Sequence, residues 1–272
     1  MGKTGGRESQ TLEEESMQGL FSLKGKVGIV TGGNGGIGKG IACGFAAAGA
    51  DLVIAARNEA KTAGAVREIK EKFGVRVLGI QVDVREEAQI RGVVQQVLKT
   101  FGRIDVLVNN AGINVRKMPQ DYKAAEWDDI LDVNLRSAFL FSQAVYPSLK
   151  AGGGGKIINI GSMTSIFGLG QAPAYGASKG GIVQLTRSLA VAWAPDKIQV
   201  NALLPGWINT DLTQNARRVW PDLNERVLSR TPAGRWGEPT DFWGVAIFLA
   251  SAASGFITGV ALPVDGGFSI MG

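Results

Sequence analysis

Short apolar runs alternate with amphipathic segments along most of the chain. The apolar runs are rich in β-branched residues, are bounded by glycine or asparagine, and have the length of β-strands. They are Val27–Thr31, Leu52–Ala56, Val75–Val82, Val106–Asn109, Lys156–Ile160, Gln199–Leu204 and Val260–Val264. Segments with helical spacing lie between them, at about residues 36–49, 59–73, 86–101, 126–150, 173–194 and 238–251. The pattern predicts strands and helices in regular alternation.

Some of the predicted strands are apolar at nearly every position. The first reads Val-Gly-Ile-Val-Thr and the fifth Lys-Ile-Ile-Asn-Ile, which is typical of strands covered on both faces. Such strands, separated by helices, indicate a parallel sheet with right-handed crossovers. Because seven strands in one sheet would use the whole chain, we expect a single doubly wound α/β domain over residues 20–272, with helices on both faces of the sheet.

Two segments fall outside this alternation. Residues 1–19 are rich in Gly, Glu, Ser and Lys, which predicts a disordered extension and leaves Met17 as an alternative start. Residues 205–239 form the longest irregular stretch and contain Trp207 and Trp236. A loop of this length in a compact domain is usually functional, which predicts a lid over a substrate. The alternative is a surface insertion packed by its own aromatic residues.

The stretch from Phe242 to Val264 carries no charge and is long enough to cross a membrane. Gly255, Gly259 and Pro263 interrupt it, so a buried helix, a turn and a short strand are the better interpretation. No positively charged segment precedes an apolar stretch near the N-terminus, which argues against a secretory signal. We therefore expect a cytoplasmic protein with no membrane partner.

The composition removes several kinds of catalytic chemistry. The chain has no His and one Cys, Cys43, which excludes a Ser-His-Asp triad, a Cys-His pair and an imidazole or multi-thiolate metal site. A lone Cys allows no disulfide within the chain, as is usual in a reducing compartment. We predict no metal, and any proton transfer has to come from Tyr, Lys, Asp, Glu or Ser.

The net charge of +5, from 29 Lys and Arg against 24 Asp and Glu, could indicate a nucleic-acid partner. The basic residues are scattered, however, and no run is longer than the pairs Arg116-Lys117 and Arg217-Arg218. This distribution favours an ordinary solvated surface plus a site for an anionic small molecule, with no nucleic-acid partner.

A glycine-rich segment, Thr31–Gly38, connects the first strand to the first helix. Gly32, Gly36 and Gly38 allow a tight turn and a close approach of the backbone to a ligand. The N–H groups and the positive dipole end of the following helix can bind a pyrophosphate. No Gly-Lys-Ser/Thr follows, so a dinucleotide is a better interpretation than ATP.

The end of the second strand bears on the choice of dinucleotide. A carboxylate there would bind the adenosine ribose and repel a 2′-phosphate, but the strand Leu52–Ala56 is followed by Arg57. A guanidinium can bind a 2′-phosphate bidentately. The sequence therefore favours NADP(H) over NAD(H), unless Arg57 stacks on the adenine or faces solvent.

Tyr175 and Lys179 are spaced so that both lie on one face of a predicted helix. A fixed ammonium favours the phenolate, and together with the nicotinamide cation of an oxidised complex it predicts a Tyr175 pKa below its ordinary value of about 10. In a chain without His, Tyr175 is the natural general acid/base for hydride transfer between a nicotinamide and an alcohol or ketone. Ser162, after the fifth strand, can donate a hydrogen bond to the substrate oxygen.

Three asparagines accompany this pair. Asn109 and Asn110 open the segment Asn109–Gly112 after the fourth strand, where their amides would brace the strand and line the cofactor floor. A purely structural turn is the alternative. Asn134 lies in the middle of a predicted helix although Asn is a poor helix former, which favours a buried polar network.

Over residues 21–272 the chain resembles the short-chain dehydrogenase/reductase family. Several motifs in the family's order and spacing carry the resemblance: Thr31–Gly38, Asp83, Asn109–Gly112, Asn134, Ser162, Tyr175, Lys179, Pro205-Gly206 and Asp265–Gly267. The resemblance implies a Rossmann-type fold and an NAD(P)-dependent exchange between a ketone and a secondary alcohol. It also implies a homotetramer, with Phe268–Gly272 near a subunit contact.

The resemblance implies roles for individual residues as well. The catalytic tetrad would consist of Asn134, Ser162, Tyr175 and Lys179. Asn134 would hold a water that relays protons, and Lys179 would also bind the hydroxyls of the nicotinamide ribose.

The implied cofactor contacts are Thr31, Gly32, Asn34, Gly36, Ile37, Gly38, Arg57, Asp83, Val84, Asn110, Ala111, Gly112, Tyr175, Lys179, Pro205, Gly206, Ile208 and Thr210. Asp83 would meet the adenine amino group, although it could also cap the following helix. The chain departs from the family pattern at Gly35, where relatives that use NADP(H) often have a second basic residue.

The resemblance narrows to the gluconate 5-dehydrogenases and keto-deoxygluconate dehydrogenases in three segments: Asn114–Lys117, Lys156–Ser165 and Arg235–Pro239. These enzymes act on a sugar acid, which implies a small-molecule substrate with a carboxylate. Arg116 or Lys117 could bind that carboxylate, unless both are surface charges. Ser162 and Trp207 complete the expected substrate contacts.

Two alternatives stay open. Within the same class, the chain could reduce 3-oxoacyl carriers or a broad range of carbonyl compounds, and its positive net charge would suit an acidic acyl carrier protein. From a different class, it could be a catalytically silent NADP-binding regulator, although such a protein has no need of Tyr175 and Lys179 together.

Overall fold

One parallel sheet runs through the part of the chain that the computed structural model describes, residues 19–271. Its strands are β1 (Val27–Thr31), β2 (Asp51–Ala56), β3 (Val77–Gln81), β4 (Val106–Asn109), β5 (Gly155–Ile160), β6 (Ile198–Pro205) and β7 (Ala261–Val264). They lie in the order β3-β2-β1-β4-β5-β6-β7, and each pairs in parallel with its neighbours. The predicted seven-stranded parallel sheet is confirmed. The predicted disordered extension lies outside the described residues, except for Gly19.

The helices are α1 (Gly36–Ala47), α2 (Glu59–Phe73), α3 (Glu87–Phe101), α4 (Ala124–Leu131), α5 (Ser137–Ala151), α6 (Pro173–Trp193), α7 (Asp211–Val219), α8 (Leu223–Arg230) and α9 (Trp243–Ala250). Local signals set several of their ends. The Asn58 side chain accepts a hydrogen bond from Lys61 N at 2.8 Å and so caps α2. Gly74 and Gly102 end α2 and α3 in the left-handed conformation that glycine adopts without strain.

Helices cover the sheet on both faces. Neighbouring residues of β1 belong to different apolar clusters: Ile29 packs with residues of α3, α5 and α6, whereas Val30 packs with residues of α1, α2 and α9. Because a central strand of this sheet is dry on both sides, it needs apolar residues at successive positions, as the sequence pattern indicated. The doubly wound architecture is therefore confirmed.

Two predicted segments differ from the structure. The single helix expected over residues 126–150 is interrupted by a π-helical turn, Asp132–Arg136, between α4 and α5. The expectation of an irregular stretch at 205–239 is wrong, because α7 and α8 lie within it. Its role as a lid over a substrate stays a prediction.

The uncharged stretch from Phe242 to Val264 folds as predicted, into helix α9, a short 3₁₀ turn at Ala252–Ser254 and strand β7. Within residues 19–271, no helix has both the length and the apolar character needed to cross a membrane.

The sheet order places a crevice at the carboxyl ends of the central strands. From β1 the chain builds outward through β2 to β3 on one side and through β4 to β7 on the other. The connections therefore diverge between β1 and β4, and in open α/β sheets ligands bind at such a divergence. The glycine loop after β1 and the asparagine segment after β4 both lie there.

Candidate active site

A cavity of about 750 Å³ opens at this crevice. It extends from the glycine loop and the end of β2 to Tyr175 and the segment after β6. Most residues predicted to contact cofactor or substrate line it: Gly32, Asn34, Gly36, Ile37, Arg57, Asp83, Val84, Asn110, Ala111, Gly112, Arg116, Ser162, Tyr175, Lys179, Pro205, Gly206, Trp207, Ile208 and Thr210. The cavity lining does not include the remaining predicted residues, Thr31, Gly38, Lys117 and Asn134.

Thr31 and Gly38 shape the glycine loop from behind. Thr31 Oγ1 accepts hydrogen bonds from the backbone N–H groups of Asn110 and Ala111, at 2.9 and 3.0 Å. A Cβ on Gly38 would lie 2.3 Å from Asn110 Nδ2 and 2.6 Å from the carbonyl oxygen of Gly32. Only glycine therefore lets α1 approach the loop this closely.

The loop has the features that a pyrophosphate needs. Gly32 and Gly36 have φ angles of +64° and +50°, in the left-handed region that favours glycine. Helix α1 has no side-chain cap and no acidic residue in its first turn. Its first N–H groups are thus available to phosphate oxygens. Asn34 Nδ2 donates to Thr62 Oγ1 at 3.0 Å, which holds the loop against α2.

Arg57 and Asp83 line the far end of the cavity, beyond the glycine loop. The exposed guanidinium of Arg57 makes no hydrogen bond within the described residues. Asp83 accepts hydrogen bonds from the guanidinium and backbone N–H of Arg85, at 2.5 to 3.2 Å. These bonds hold the pKa of Asp83 below its ordinary value. The cap alternative for Asp83 is wrong, because α3 starts later, with Glu86 as its cap residue.

Strand β5 and helix α6 bring the predicted catalytic side chains together. Lys179 Nζ donates to the carbonyl oxygen of Ile160 at 2.7 Å and lies 5.6 Å from the centre of the Tyr175 ring. Ser162 lies beside Tyr175 in the same cavity, close enough for its hydroxyl to lower the pKa of the phenol. Ser165 Oγ donates to the carbonyl oxygen of Lys179 at 2.6 Å, which ties the turn after β5 to α6.

Burial governs the pKa of both ionisable groups. Lys179 is 4% exposed, and burial lowers its pKa to about 8. Burial also raises the pKa of Tyr175, while the Ser162 hydroxyl and the positive charge of Arg116 lower it. In the chain by itself, the cost of burying a phenolate exceeds both favourable effects. The lowered Tyr175 pKa expected with a bound nicotinamide cation stays a prediction.

Asn134 lies buried in the π-helical turn between α4 and α5. Its Oδ1 accepts the backbone N–H of Ile113 at 2.8 Å, and its Nδ2 donates to the carbonyl oxygen of Ile113 at 3.0 Å and to Ser178 Oγ at 3.1 Å. A Cβ on Gly112 would lie 3.4 Å from Asn134 Oδ1 and 3.6 Å from Lys179 Nζ. The predicted polar network is confirmed, and it fixes the chain after β4 beside Lys179.

A second polar network braces the strands behind the cavity. Asn109 Nδ2 donates to Asn159 Oδ1 at 2.8 Å and to Ser142 Oγ at 3.0 Å, and Asn159 Nδ2 donates to Thr186 Oγ1 at 2.9 Å. All of these residues are buried. Asn109 thus braces β4 as predicted, while Asn110 and the residues after it line the cavity.

Arg116 is a partly buried cation at the Tyr175 end of the cavity. Its guanidinium carbon lies 5.7 Å from the ring centre of Trp207 and 4.7 Å from that of Trp220. One guanidinium nitrogen is buried with no hydrogen-bond partner among the described residues. Burial lowers the pKa of Arg116, as expected for a cation that no carboxylate among the described residues neutralises.

Lys117 is placed differently. Its ammonium pairs with Glu126, and its backbone N–H donates to the carbonyl oxygen of Gln171 at 3.0 Å. Of the two cations predicted to meet a substrate carboxylate, the structure therefore directs Arg116 into the cavity and Lys117 towards Glu126.

Comparison with known proteins identifies the family. The family described as enoyl-(acyl carrier protein) reductase matches residues 32–269. The 2-dehydro-3-deoxy-D-gluconate 5-dehydrogenase of Escherichia coli is 41% identical over 249 residues, which cover 91% of this chain and 97% of that protein. The chain belongs to the short-chain dehydrogenase/reductase family.

Two further relatives support the same family assignment. The 2-dehydro-3-deoxy-D-gluconate 5-dehydrogenase of Dickeya dadantii is 42% identical over 252 residues, 91% of this chain and 97% of that protein. A gluconate 5-dehydrogenase from Burkholderia cenocepacia, crystallised with NADP and tartrate, is 39% identical and superimposes with a TM-score of 0.89 over 93% of this chain and 99% of that chain. This chain is thus a Rossmann-type oxidoreductase that acts on CH–OH groups.

The sequence of this dehydrogenase predicts Trp207 as a substrate contact but gives no role to Asn114 or Thr164. Asn114 Oδ1, Thr164 Oγ1 and Trp207 Nε1 are buried without a hydrogen-bond partner among the described residues, and all three residues line the cavity. Native proteins leave few buried polar groups unpaired, so such groups next to a cavity indicate a polar ligand. The three residues lie in separate segments, and no local pattern in the sequence connects them.

Proposed function

We propose that this dehydrogenase interconverts a ketone and a secondary alcohol on a sugar acid, with Tyr175 as the general acid/base. The observation that carries the proposal is the unpaired guanidinium nitrogen of Arg116 at the Tyr175 end of the cavity. The relatives named above act on gluconate and a dehydro-deoxygluconate, which supports the same substrate class.

Tyr175, Ser162 and Lys179 have the arrangement that the proton transfer needs. When bound, the nicotinamide supplies or accepts the hydride. Tyr175 gives its hydroxyl proton to the developing alkoxide in reduction and takes it back in oxidation. Ser162 donates a hydrogen bond to the same oxygen. The raised pKa of Tyr175 keeps the phenol protonated in the chain alone, ready for reduction. Lys179 adds positive charge beside the phenol, which stabilises the phenolate left behind.

The carboxylate of the substrate pairs with Arg116. The rings of Trp207 and Trp220 flank the guanidinium and keep water from it, which strengthens a charged hydrogen bond. Trp207 Nε1 offers a further donor, whereas Asn114 Oδ1 and Thr164 Oγ1 suit the hydroxyl groups of a polyol chain. An uncharged ketone would leave Arg116 and Trp207 unsatisfied, and this difference provides specificity.

We also propose that NADP(H) is favoured over NAD(H). Arg57 follows β2 at the cavity wall and makes no side-chain hydrogen bond within the described residues. Asp83, the nearby carboxylate, is occupied by Arg85. A 2′-phosphate at this end of the cavity would therefore meet an unpaired cation.

The experiment that tests the proposal measures kcat/KM by nicotinamide absorbance, with NADPH and NADH, on keto sugar acids, 3-oxoacyl esters and simple ketones. Arg116→Ala should lower kcat/KM for sugar acids about 100-fold, the worth of one desolvated charged hydrogen bond. Uncharged ketones should lose far less. Lys117→Ala is the matched variant and should leave the preference for acids intact, since Lys117 pairs with Glu126.

An equal loss for acids and uncharged ketones in Arg116→Ala would refute the carboxylate assignment. Efficient turnover of 3-oxoacyl esters with none of sugar acids would favour the acyl-carrier alternative. Unchanged turnover in Tyr175→Phe would remove Tyr175 from the chemistry. A regulator that only binds NADP would show no turnover in any variant.

The segment 205–239 is proposed as the lid. It forms its own apolar cluster, in which Trp207 and Trp236 pack edge to face at 5.7 Å, and it supplies Trp207, Ile208 and Thr210 to the cavity wall. The segment packs on its own aromatic residues and also borders the cavity, and its place beside the cavity supports the lid proposal.

Assembly as a homotetramer is proposed from apolar side chains at the surface. Phe256 is fully exposed, and Val191 and Ile270 are more than four-fifths exposed, so that a subunit contact covering them would remove apolar surface from water. Ile270 lies in the segment 268–272 that the family resemblance places near a subunit contact. Light scattering after size exclusion gives the mass directly, and a monomer would refute the proposal.

The buried free thiol of Cys43 is in keeping with the proposed cytoplasmic location.

A further inference from the structure

Lys61 is a second cation at the Arg57 end of the cavity. It lies in the first turn of α2 and lines the cavity together with Arg57. A Cβ on Gly35 would lie 2.8 Å from Lys61 Nζ. Because Gly35 has no side chain, the ammonium of Lys61 lies directly over the glycine loop, in space that a side chain on the loop would occupy.

The chain segment that carries Lys61 is well fixed, whereas its ammonium is held weakly. Asn58 caps α2 by accepting the backbone N–H of Lys61. The ammonium pairs with Asp211 Oδ2 at 2.7 Å, but the side chains are 47% and 79% exposed. Exposed ion pairs of this kind contribute about 0 to 1 kcal/mol. A stronger anion at the same place can therefore displace Asp211.

We propose that Lys61 determines cofactor specificity: with Arg57 it binds the 2′-phosphate of NADP(H), and Asp211 is the anion that it releases. The inference rests on the proposed preference for NADP(H) and adds a residue to it. A phosphate monoester carries about −1.5 to −2 charge at neutral pH and offers three acceptor oxygens. It therefore competes favourably with one solvated carboxylate for the ammonium.

Asp211 gives the exchange a consequence for the segment 205–239. It is the first residue of α7 and follows Thr210, whose Cγ2 would lie 3.2 Å from a Cβ on Gly36. The Lys61–Asp211 pair thus joins α2 to the start of α7 beside the glycine loop. When Lys61 turns to a phosphate, this connection between α2 and α7 is released.

The test is a calorimetric titration with 2′,5′-ADP and 5′-AMP, two probes that differ by the 2′-phosphate. Lys61→Ala should lower the affinity for 2′,5′-ADP about 10-fold, as expected for a lost hydrogen bond to a charged group. The affinity for 5′-AMP should stay nearly unchanged. Lys39→Ala is the matched control, because Lys39 pairs with Glu68 at 2.5 Å and does not line the cavity. It should bind both probes like the wild type.

Asp211→Asn separates the proposed exchange from a structural role. This variant should raise the affinity for 2′,5′-ADP about 3-fold, the effect of removing an exposed ion pair that competes with the ligand. The gain should disappear in Lys61→Ala/Asp211→Asn, since no ammonium is then left to release. Equal weakening of both probes in Lys61→Ala, or an unchanged gain in the double variant, would overturn the inference.

The outcome also separates this inference from the proposed cofactor preference. If the wild type binds both probes equally, the NADP(H) preference fails and the role of Lys61 fails with it. If the wild type prefers 2′,5′-ADP and Arg57→Ala alone removes that preference while Lys61→Ala keeps it, the preference stands and only the role of Lys61 is refuted. Thermal unfolding of each variant checks that the fold is retained.

Discussion

Replacing Gly38 by Ala should displace the glycine loop from helix α1 and destabilise the fold. The added Cβ would lie 2.3 Å from Asn110 Nδ2 and 2.6 Å from the carbonyl oxygen of Gly32, closer than van der Waals contact allows. Asn110 Nδ2 donates to the carbonyl oxygens of Thr31 and Gly32, at 2.9 and 3.3 Å, and would have to move. Overpacking costs about 1 to 3 kcal/mol, and each lost hydrogen bond adds about 1 kcal/mol. We therefore expect a destabilisation of about 3 kcal/mol.

The assay is thermal unfolding of the cofactor-free protein, followed by titration with NADPH. For a chain of this size, about 3 kcal/mol corresponds to a fall in Tm of about 6 to 9 °C. NADPH affinity should fall as well, because the loop and the start of α1 hold the pyrophosphate. Gly92→Ala is the control: outside the adjoining part of α3, no atom of the described residues lies within 4 Å of the added Cβ, and Ala in a helix should stabilise by about 0.5 to 1 kcal/mol. Wild-type Tm and NADPH affinity in Gly38→Ala would refute the close-approach argument.

Further predictions concern Lys179, Asp105 and Trp207. Burial lowers the pKa of Lys179 and of Lys156 to about 8, so above pH 8 the unfolded chain binds more protons than the folded chain. The free energy of unfolding should therefore rise with pH from about 8 to 10. Lys179→Met should roughly halve that rise, as measured by urea titrations at each pH. Hydrogen bonds from Arg103 and Val27 N hold the pKa of Asp105 down against burial; Asp105→Asn should destabilise by about 2 kcal/mol at neutral pH, and the difference should shrink as acid protonates the wild-type carboxyl. Trp207→Phe should raise KM for sugar acids about 5-fold, the worth of one hydrogen bond, without an effect on uncharged ketones.

The central strands β1, β2 and β4 were predictable because each is buried on both faces. An uninterrupted apolar run such as Val27–Thr31 has few other ways to fold, and β1 and β4 have the predicted bounds. The π-helical turn at Asp132–Arg136 was not predictable. In this turn the Asn134 side chain hydrogen-bonds to the backbone of Ile113. That contact depends on tertiary structure rather than on the local sequence pattern.

Helices α7 and α8 escaped prediction for a related reason. α7 is mostly polar, and its stability comes from a cluster in which Ala216 and Leu223 pack with Trp207 and Trp236. These aromatic residues are separated in sequence, so no window of the chain shows a helical face with a partner. Helix formation there depends on packing more than on propensity.

In the site, too, local sequence motifs were predictable, whereas contacts between distant segments were not. The glycine loop, Arg57, Ser162 and the pair Tyr175 and Lys179 are local motifs, and the structure gathers them along one cavity. Arg116 between its two tryptophans and Lys61 over the glycine loop depend on contacts between distant segments. The partner of Lys61, Asp211, is 150 residues away. Such contacts follow from the fold and not from spacing.

The central claim is that Tyr175 transfers the proton on a sugar-acid substrate. It is tested most directly by kcat for Tyr175→Phe with NADPH and a keto sugar acid, beside the wild type and with NADPH affinity measured by fluorescence. The proposed chemistry predicts turnover by the wild type, a loss of about 10²- to 10⁴-fold in the variant, and little change in NADPH affinity. A variant that keeps more than about a tenth of the wild-type kcat would contradict it.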